Sequence, residues 1–272
     1  MARDDITIEG AGDQTVIQLA TGVHDPVFVL GEPVPYAPTI THRNITLRKM
    51  RIRGYRFPNP QPGDELSSVA GREHLRNNGV TVRQAENCLL EDLTIESTAS
   101  GGVMLERTCK NIRLHNITSF GHRYDGVAWD GDVQACRIED CTLRDNGAAG
   151  ISFDIGPADN AVTNCQIYGN ATVGIFIRDS RRNTFTNCVI RGNQQDGVFI
   201  ADGDRTGASA TDNVFEDNQY LDNGRNGIWQ AGQRSVNNTV RGGTFRGNAA
   251  KPIEQSFPDT APLILVNPTI LP

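Results

Sequence analysis

The sequence predicts a single-stranded, right-handed parallel β-helix, an all-β solenoid that advances by about 24 residues per coil. Three observations carry this expectation. Glycines ahead of a short apolar strand recur at Gly79, Gly102, Gly126, Gly150, Gly174, Gly197 and Gly227, in steps of 23, 24, 24, 24, 23 and 30 residues. Each is followed by period-2 alternation, as in Val127-Ala128-Trp129 and Ile151-Ser152-Phe153, with the first and third side chains apolar and hence inward. No helical stretch intervenes, the signature of a leucine-rich repeat is absent, and the period is too short for a propeller blade.

A second strand is expected in each coil, for example over 160–167 and 183–190, and the coil then closes on an asparagine four residues before the next glycine: Asn146, Asn170, Asn193 and Asn223. Asparagine tolerates the left-handed backbone of a tight corner, and amides stacked one coil apart can hydrogen-bond as a ladder. Cys141, Cys165 and Cys188 repeat at the same spacing and form an inward column of small thiols, with no CxxC or Cys/His pattern that suggests zinc. Two stretches break the rhythm. Residues 55–77 precede the first clear repeat and 203–212 lengthen the coil of Phe199, so both are expected as loops beside a groove, with Arg72 and His74 in reach of it. Residues 250–272 are expected to cap the solenoid, and 1–272 reads as one domain because no linker divides it.

Bulk chemistry narrows the function. A formal charge of −6 argues against a general binder of nucleic acid or anionic membrane, and no apolar run approaches the ~20 residues of a bilayer span. The opening Met1-Ala2-Arg3-Asp4-Asp5 has no apolar core of a secretory signal. It runs straight into Ile6-Thr7-Ile8, an abrupt start for a solenoid, which points to an upstream segment and leaves secretion open.

With the first and third positions inward, the fourth position of each strand faces out and reads Arg83, Glu106, Asp130, Asp154, Arg178. Coils lie about 4.8 Å apart, so Glu106, Asp130 and Asp154 form an acidic centre flanked by two arginines. Crowded carboxylates raise one another's pKa, which acid–base chemistry uses; the plainer alternative is a solvated charge ladder relieved by the arginines. The second position ends in Phe176, Phe199 and Trp229, an apolar shelf of the kind that receives sugar rings. The corner before Asp130 reads Gly121-His122-Arg123-Tyr124-Asp125, which puts His122 in the asparagine-ladder position and Tyr124 nearer the groove rim. Asp132 and Asp159 extend the acidic patch or supply oxygen ligands for Ca²⁺, although no cofactor is required.

From Ile6-Thr7-Ile8-Glu9-Gly10-Ala11-Gly12-Asp13 through Asp145-Asn146-Gly147 and the later coils, the chain resembles the pectate-lyase-like β-helix superfamily, and within it the catalytic module of mannuronan C5-epimerases. The resemblance implies a uronic-acid polysaccharide as substrate and abstraction of its C5 proton, followed by epimerisation or β-elimination. It carries the family's motif Asp onto Asp130 and the Asp of the following coil onto Asp154. Gly131 and Asp132 stand where the motif's Pro and His are expected, and Val127 where its Tyr is expected. His122, Tyr124 and Asp132 are then the further candidates for proton transfer, with Arg83, Glu106, Arg178 and the aromatic shelf as substrate contacts. Three rival readings stay open: a glycoside hydrolase built on Asp130 and Asp154, a non-catalytic glycan-binding solenoid, and a small-molecule isomerase or cyclase in the same groove.

Overall fold

The computed structural model describes residues 1–203 and 207–272. Its strands stack one coil apart in three sheets, and every strand pairing among the described residues is parallel. The groove sheet holds nine strands: Phe28–Leu30, Val80–Arg83, Val103–Glu106, Val127–Asp130, Ile151–Asp154, Ile175–Arg178, Val198–Ala201, Ile228–Gln230 and Ile253–Gln255. Its first and third positions are inward, and Val127, Trp129, Ile151, Phe153, Ile175 and Ile177 are wholly buried. The glycine ahead of each strand is there for space. A Cβ on Gly126 would stand 2.7 Å from the carbonyl oxygen of Gly150, so this corner packs backbone directly on backbone.

The expected second strand is divided. Ala161–Thr163 and Gln166–Tyr168 are separate strands because Asn164 takes a left-handed φ of 56°, and the same break recurs at Asp140, Asn187 and Asp217. The asparagine ladder forms: Asn146 Nδ2 donates to Asn170 Oδ1 at 3.0 Å, Asn170 to Asn193 at 2.9 Å, Asn193 to Asn223 at 3.0 Å and Asn223 to Asn248 at 2.9 Å. The left-handed residue at this corner is the one before each amide, Asp145, Gly169, Gly192 or Asp222, rather than the asparagine itself. A second ladder, Asn160, Asn183, Asn213 and Asn238, runs along another corner. All six cysteines are free and buried, with Cys141, Cys165 and Cys188 inside as the repeat predicts.

Residues 250–272 wind as a further coil rather than a distinct cap: Ile253–Gln255 pairs with Ile228–Gln230, and Ile264–Val266 with Thr239–Arg241. Two segments shape the outside of the groove sheet. Residues 32–36 fold over the strand Val80–Arg83, and 55–77 form a loop closed by an antiparallel bridge between Leu66 and Arg76. Arg72 and His74 do not reach the groove as expected. Arg72 pairs with Asp25 at 2.9 Å, and His74 packs edge-on against Tyr36, where burial pushes its pKa down. Of the expected insertion 203–212, residues 204–206 lie outside the described residues, and Thr211 bridges to Arg181 one coil earlier.

Candidate functional site

Register alone sets which side chains meet on the outer face. Asp130 is paired with Glu106 on one side and Asp154 on the other, and all three project outward, partly exposed. Their surroundings then diverge. Arg178 clamps Asp154 through two bonds, Nε to Oδ1 at 2.9 Å and Nη2 to Oδ2 at 2.6 Å, a bidentate pair that fixes the orientation of the carboxylate. Arg83 is wholly buried; it donates to the carbonyls of Glu32 at 2.8 Å and Tyr36 at 3.0 Å and pairs with Glu106. Arg83 is therefore not the substrate contact expected of it, because residues 32–36 cover it. Glu106 is pinned beneath the same segment, and burial pushes its carboxyl up against the pull of Arg83 and Arg107.

Asp130 sits where two hollows meet. The first, about 290 Å³, is lined by Tyr124, Asp125, Asp130, Ser152 and Asp154, with Glu65 and Arg76 of the 55–77 loop as its outer wall. Asp125 accepts the Ala149 N–H at 2.8 Å. Burial pushes its carboxyl up to about 6, with the charge of Asp154 acting in the same direction. The Tyr124 ring lies between the guanidinium groups of Arg76, at 5.8 Å, and Arg123, at 5.4 Å, and Arg123 is tied to Glu65 at 3.2 Å. The second hollow, about 430 Å³, lies on the other side of Asp130 and contains Asp132.

His122 does not take part. It is fully buried, with Nδ1 hydrogen-bonded to Thr98 Oγ1 and Nε2 to Ser119 Oγ, both at 2.9 Å, and its own N–H donates to Asn146 Oδ1 at 3.4 Å. Burial pushes its pKa down to about 3, so it stays neutral at the end of the amide ladder, pointing into the coil. Asp132 and Asp159, the expected extensions of the acidic patch, lie in different surroundings. Asp159 is held by Arg182 through two 2.7 Å bonds, away from both hollows, and among the described residues no group of three or more His, Cys, Asp or Glu side chains is placed to hold a metal.

Phe176, Phe199 and Trp229 do line up one coil apart, with ring centroids 5.9 Å and 4.8 Å apart. The two phenylalanines stack within 29° of parallel, Arg178 lies over Phe176 at 5.6 Å, and Arg225 lies over Trp229 at 4.5 Å. The rings thus contact one another and two arginines while staying partly exposed, and Trp229 with Arg225 lines a separate shallow hollow. Sequence reasoning missed Asp125, Arg76 and Glu65. The signal for Asp125 was present: it directly precedes a column glycine where the next two coils carry Ala149 and Val173.

Comparisons with known proteins agree with this architecture. A family model described as "Right handed beta helix region" matches residues 76–248. Comparison with curated proteins found no match by sequence. Among solved structures, the periplasmic alginate epimerase AlgG is similar with a TM-score of 0.68 at 12% identity, over 85% of this chain and 70% of that one. The A-module of Azotobacter vinelandii mannuronan C-5 epimerase AlgE4 gives 0.66 at 17% identity, over 98% and 80%. The Dettilon tailspike protein gp208 gives 0.54 at 14% identity, over 94% and 56%. At these identities the likeness is one of fold.

Proposed function

The chain belongs to the right-handed β-helix family, and on that scaffold we propose that its groove hydrolyses a glycosidic bond in a glycan laid across the coils of Asp125, Asp130 and Asp154. One observation carries the reading: the carboxyl groups of Asp125, Asp130 and Asp154, with Glu65 in the outer wall, converge with a tyrosine in a single hollow, and among the described residues no imidazole lines it. Asp125, with its proton held to about pH 6, is the general acid toward the leaving oxygen. Asp130 acts from the adjacent strand as base or nucleophile, and Asp154, held in place by Arg178, stabilises positive charge building on the sugar ring. A glycan ligand and a site of action outside the cytoplasm are supported by the structural neighbours, which include alginate epimerases, one of them periplasmic, and a tailspike. The test is incubation with neutral and acidic polysaccharides. New reducing ends without an ultraviolet-absorbing unsaturated end, lost in Asp125→Asn and Asp130→Asn, support hydrolysis; their absence on every polymer overturns it.

A second reading, C5 proton transfer on a uronate, is favoured by Tyr124 with the Arg76 guanidinium beside its ring, one to move a proton and the other to neutralise the sugar carboxylate. It predicts deuterium at C5 in deuterated water without chain cleavage, or an unsaturated end absorbing in the ultraviolet.

A further inference from the structure

The two ends of the solenoid leave the same half open. Beside the groove sheet both are covered: the Met1 carbonyl accepts the Gly31 N–H at one end, and at the other Ala261 and Leu263 are buried over the core, held by Gln230 and Gln255. The long outer sheet is not covered. Ile6–Gln18 at the first coil, and Ile264–Val266 and Thr269–Ile270 at the last, each pair on one side only among the described residues. A strand edge with a free row of backbone N–H and C=O groups is a template for another strand. Inward positions are open there too. Leu265 is 44% exposed and Ile270 57%, whereas Val240 and Phe245 one coil earlier are buried. At the first coil Ile17 is 39% exposed, although Ile52 beneath it is wholly buried.

We infer that these open edges are the two halves of one interface, and that the occupant of each is a second copy of this chain stacked head to tail. Register carries the inference. Traced from strand pair to strand pair, the inward row that begins at Ile8 ends at Leu265. The row that begins at Ile17 ends at Ile270. A copy placed one coil beyond the last therefore sets Ile8 on Leu265 and Ile17 on Ile270, and both apolar rows continue in the same strand direction. Ile8 and Ile17 are nine residues apart and Leu265 and Ile270 five, but so are Leu47 and Ile52, on which the first strand already lies through its bulge. Rim charge selects the same orientation. Glu9 and Asp13 stand on the first coil, Arg241 and Arg246 beside the last, so unlike ends attract and like ends repel. The grooves of stacked copies then open to the same side. A contact between unlike ends does not close on itself, so the product is an open chain of copies. None of this depends on the reaction proposed for the groove.

The experiment is sedimentation velocity from about 1 µM to about 1 mM chain. A one-coil contact is at the small end of specific interfaces, so association is expected in the upper part of that range. The mass is expected to keep rising past the dimer. Ile17→Asp charges the first edge and Ile270→Asp the last. Each alone is expected to stay monomeric with its thermal unfolding midpoint little changed, because both side chains are exposed. Mixed in equal amounts, the two are expected to form a one-to-one dimer and stop there, since the first variant keeps a working last edge and the second a working first edge. A variant that had merely misfolded does not complement in this way. A wild-type chain that stays monomeric at every concentration overturns the proposal. So does a dimer that Ile17→Asp leaves intact, which joins last edge to last edge, or a mixture of the two variants that stays monomeric.

Discussion

Two stretches of the same outer sheet face behave oppositely. Around Val127–Asp130 and Ile151–Asp154 the outward side chains are short and acidic, and the 55–77 loop walls off a space beside them. On the next three coils, Phe176, Phe199 and Trp229 occupy the same outward column as Ala128 and Ser152, and there large rings take up the space. Coil spacing is the same in both. Large planar side chains at about 4.8 Å intervals stack on one another and close the surface, whereas small ones leave a gap that a loop can convert into a site. A column of aromatics in a solenoid is therefore a packing device, and the proposed site lies where the same column carries Ala128 and Ser152 instead.

The largest effect that tests this contrast is on turnover. Asp130→Asn is expected to reduce kcat by roughly 10²–10⁴-fold with an unchanged unfolding midpoint, measured as release of reducing ends beside thermal denaturation. Next comes acid stability. His122 is neutral and buried in the fold but ionises near 6.5 when unfolded, so stability should fall as pH drops from about 6.5 toward 3, by on the order of 3–5 kcal/mol. His122→Asn, which continues the amide ladder, should flatten that slope in denaturant titrations run across the range; an unaltered slope would remove His122 as its cause. In the pH–rate profile, activity should decline as pH rises through about 6, because Asp125 must carry its proton; a rate that stays flat through that range would remove Asp125 as the acid. The smallest expected change concerns the aromatic stretch. Phe199→Ala should cost about 1–3 kcal/mol of stability while leaving substrate affinity near wild type, as read by calorimetry. A large loss of affinity with little loss of stability would reverse the contrast and restore the shelf as a binding platform.

Periodic features were legible in the sequence because each residue's role is repeated by its neighbours one coil away. The glycine column, the inward Val/Ile positions, the amide ladder and the row Glu106, Asp130, Asp154 all follow from counting by 24. Features that depend on one segment crossing another were not legible. Nothing in the alternation around Val80–Arg83 says that residues 32–36 will cover Arg83, or that Phe176 and Phe199 will stack on each other. His122 shows both sides of this. Its position in the ladder was evident, and ladder side chains point inward, yet its chemical type suggested catalysis. Geometry outweighs residue type in that conflict, and the same rule, applied to the residue just before each column glycine, would have brought out Asp125.

The buried thiols carry a practical consequence. Cys88, Cys109, Cys136, Cys141, Cys165 and Cys188 lie sealed inside the coils, and burial raises the pKa of Cys109 and Cys136 to levels where attack on an alkylating reagent is negligible. Each becomes modifiable only when its own turn comes apart. Pulse alkylation read by mass spectrometry would thus report, turn by turn, where the cylinder breathes first, with no label introduced into the chain.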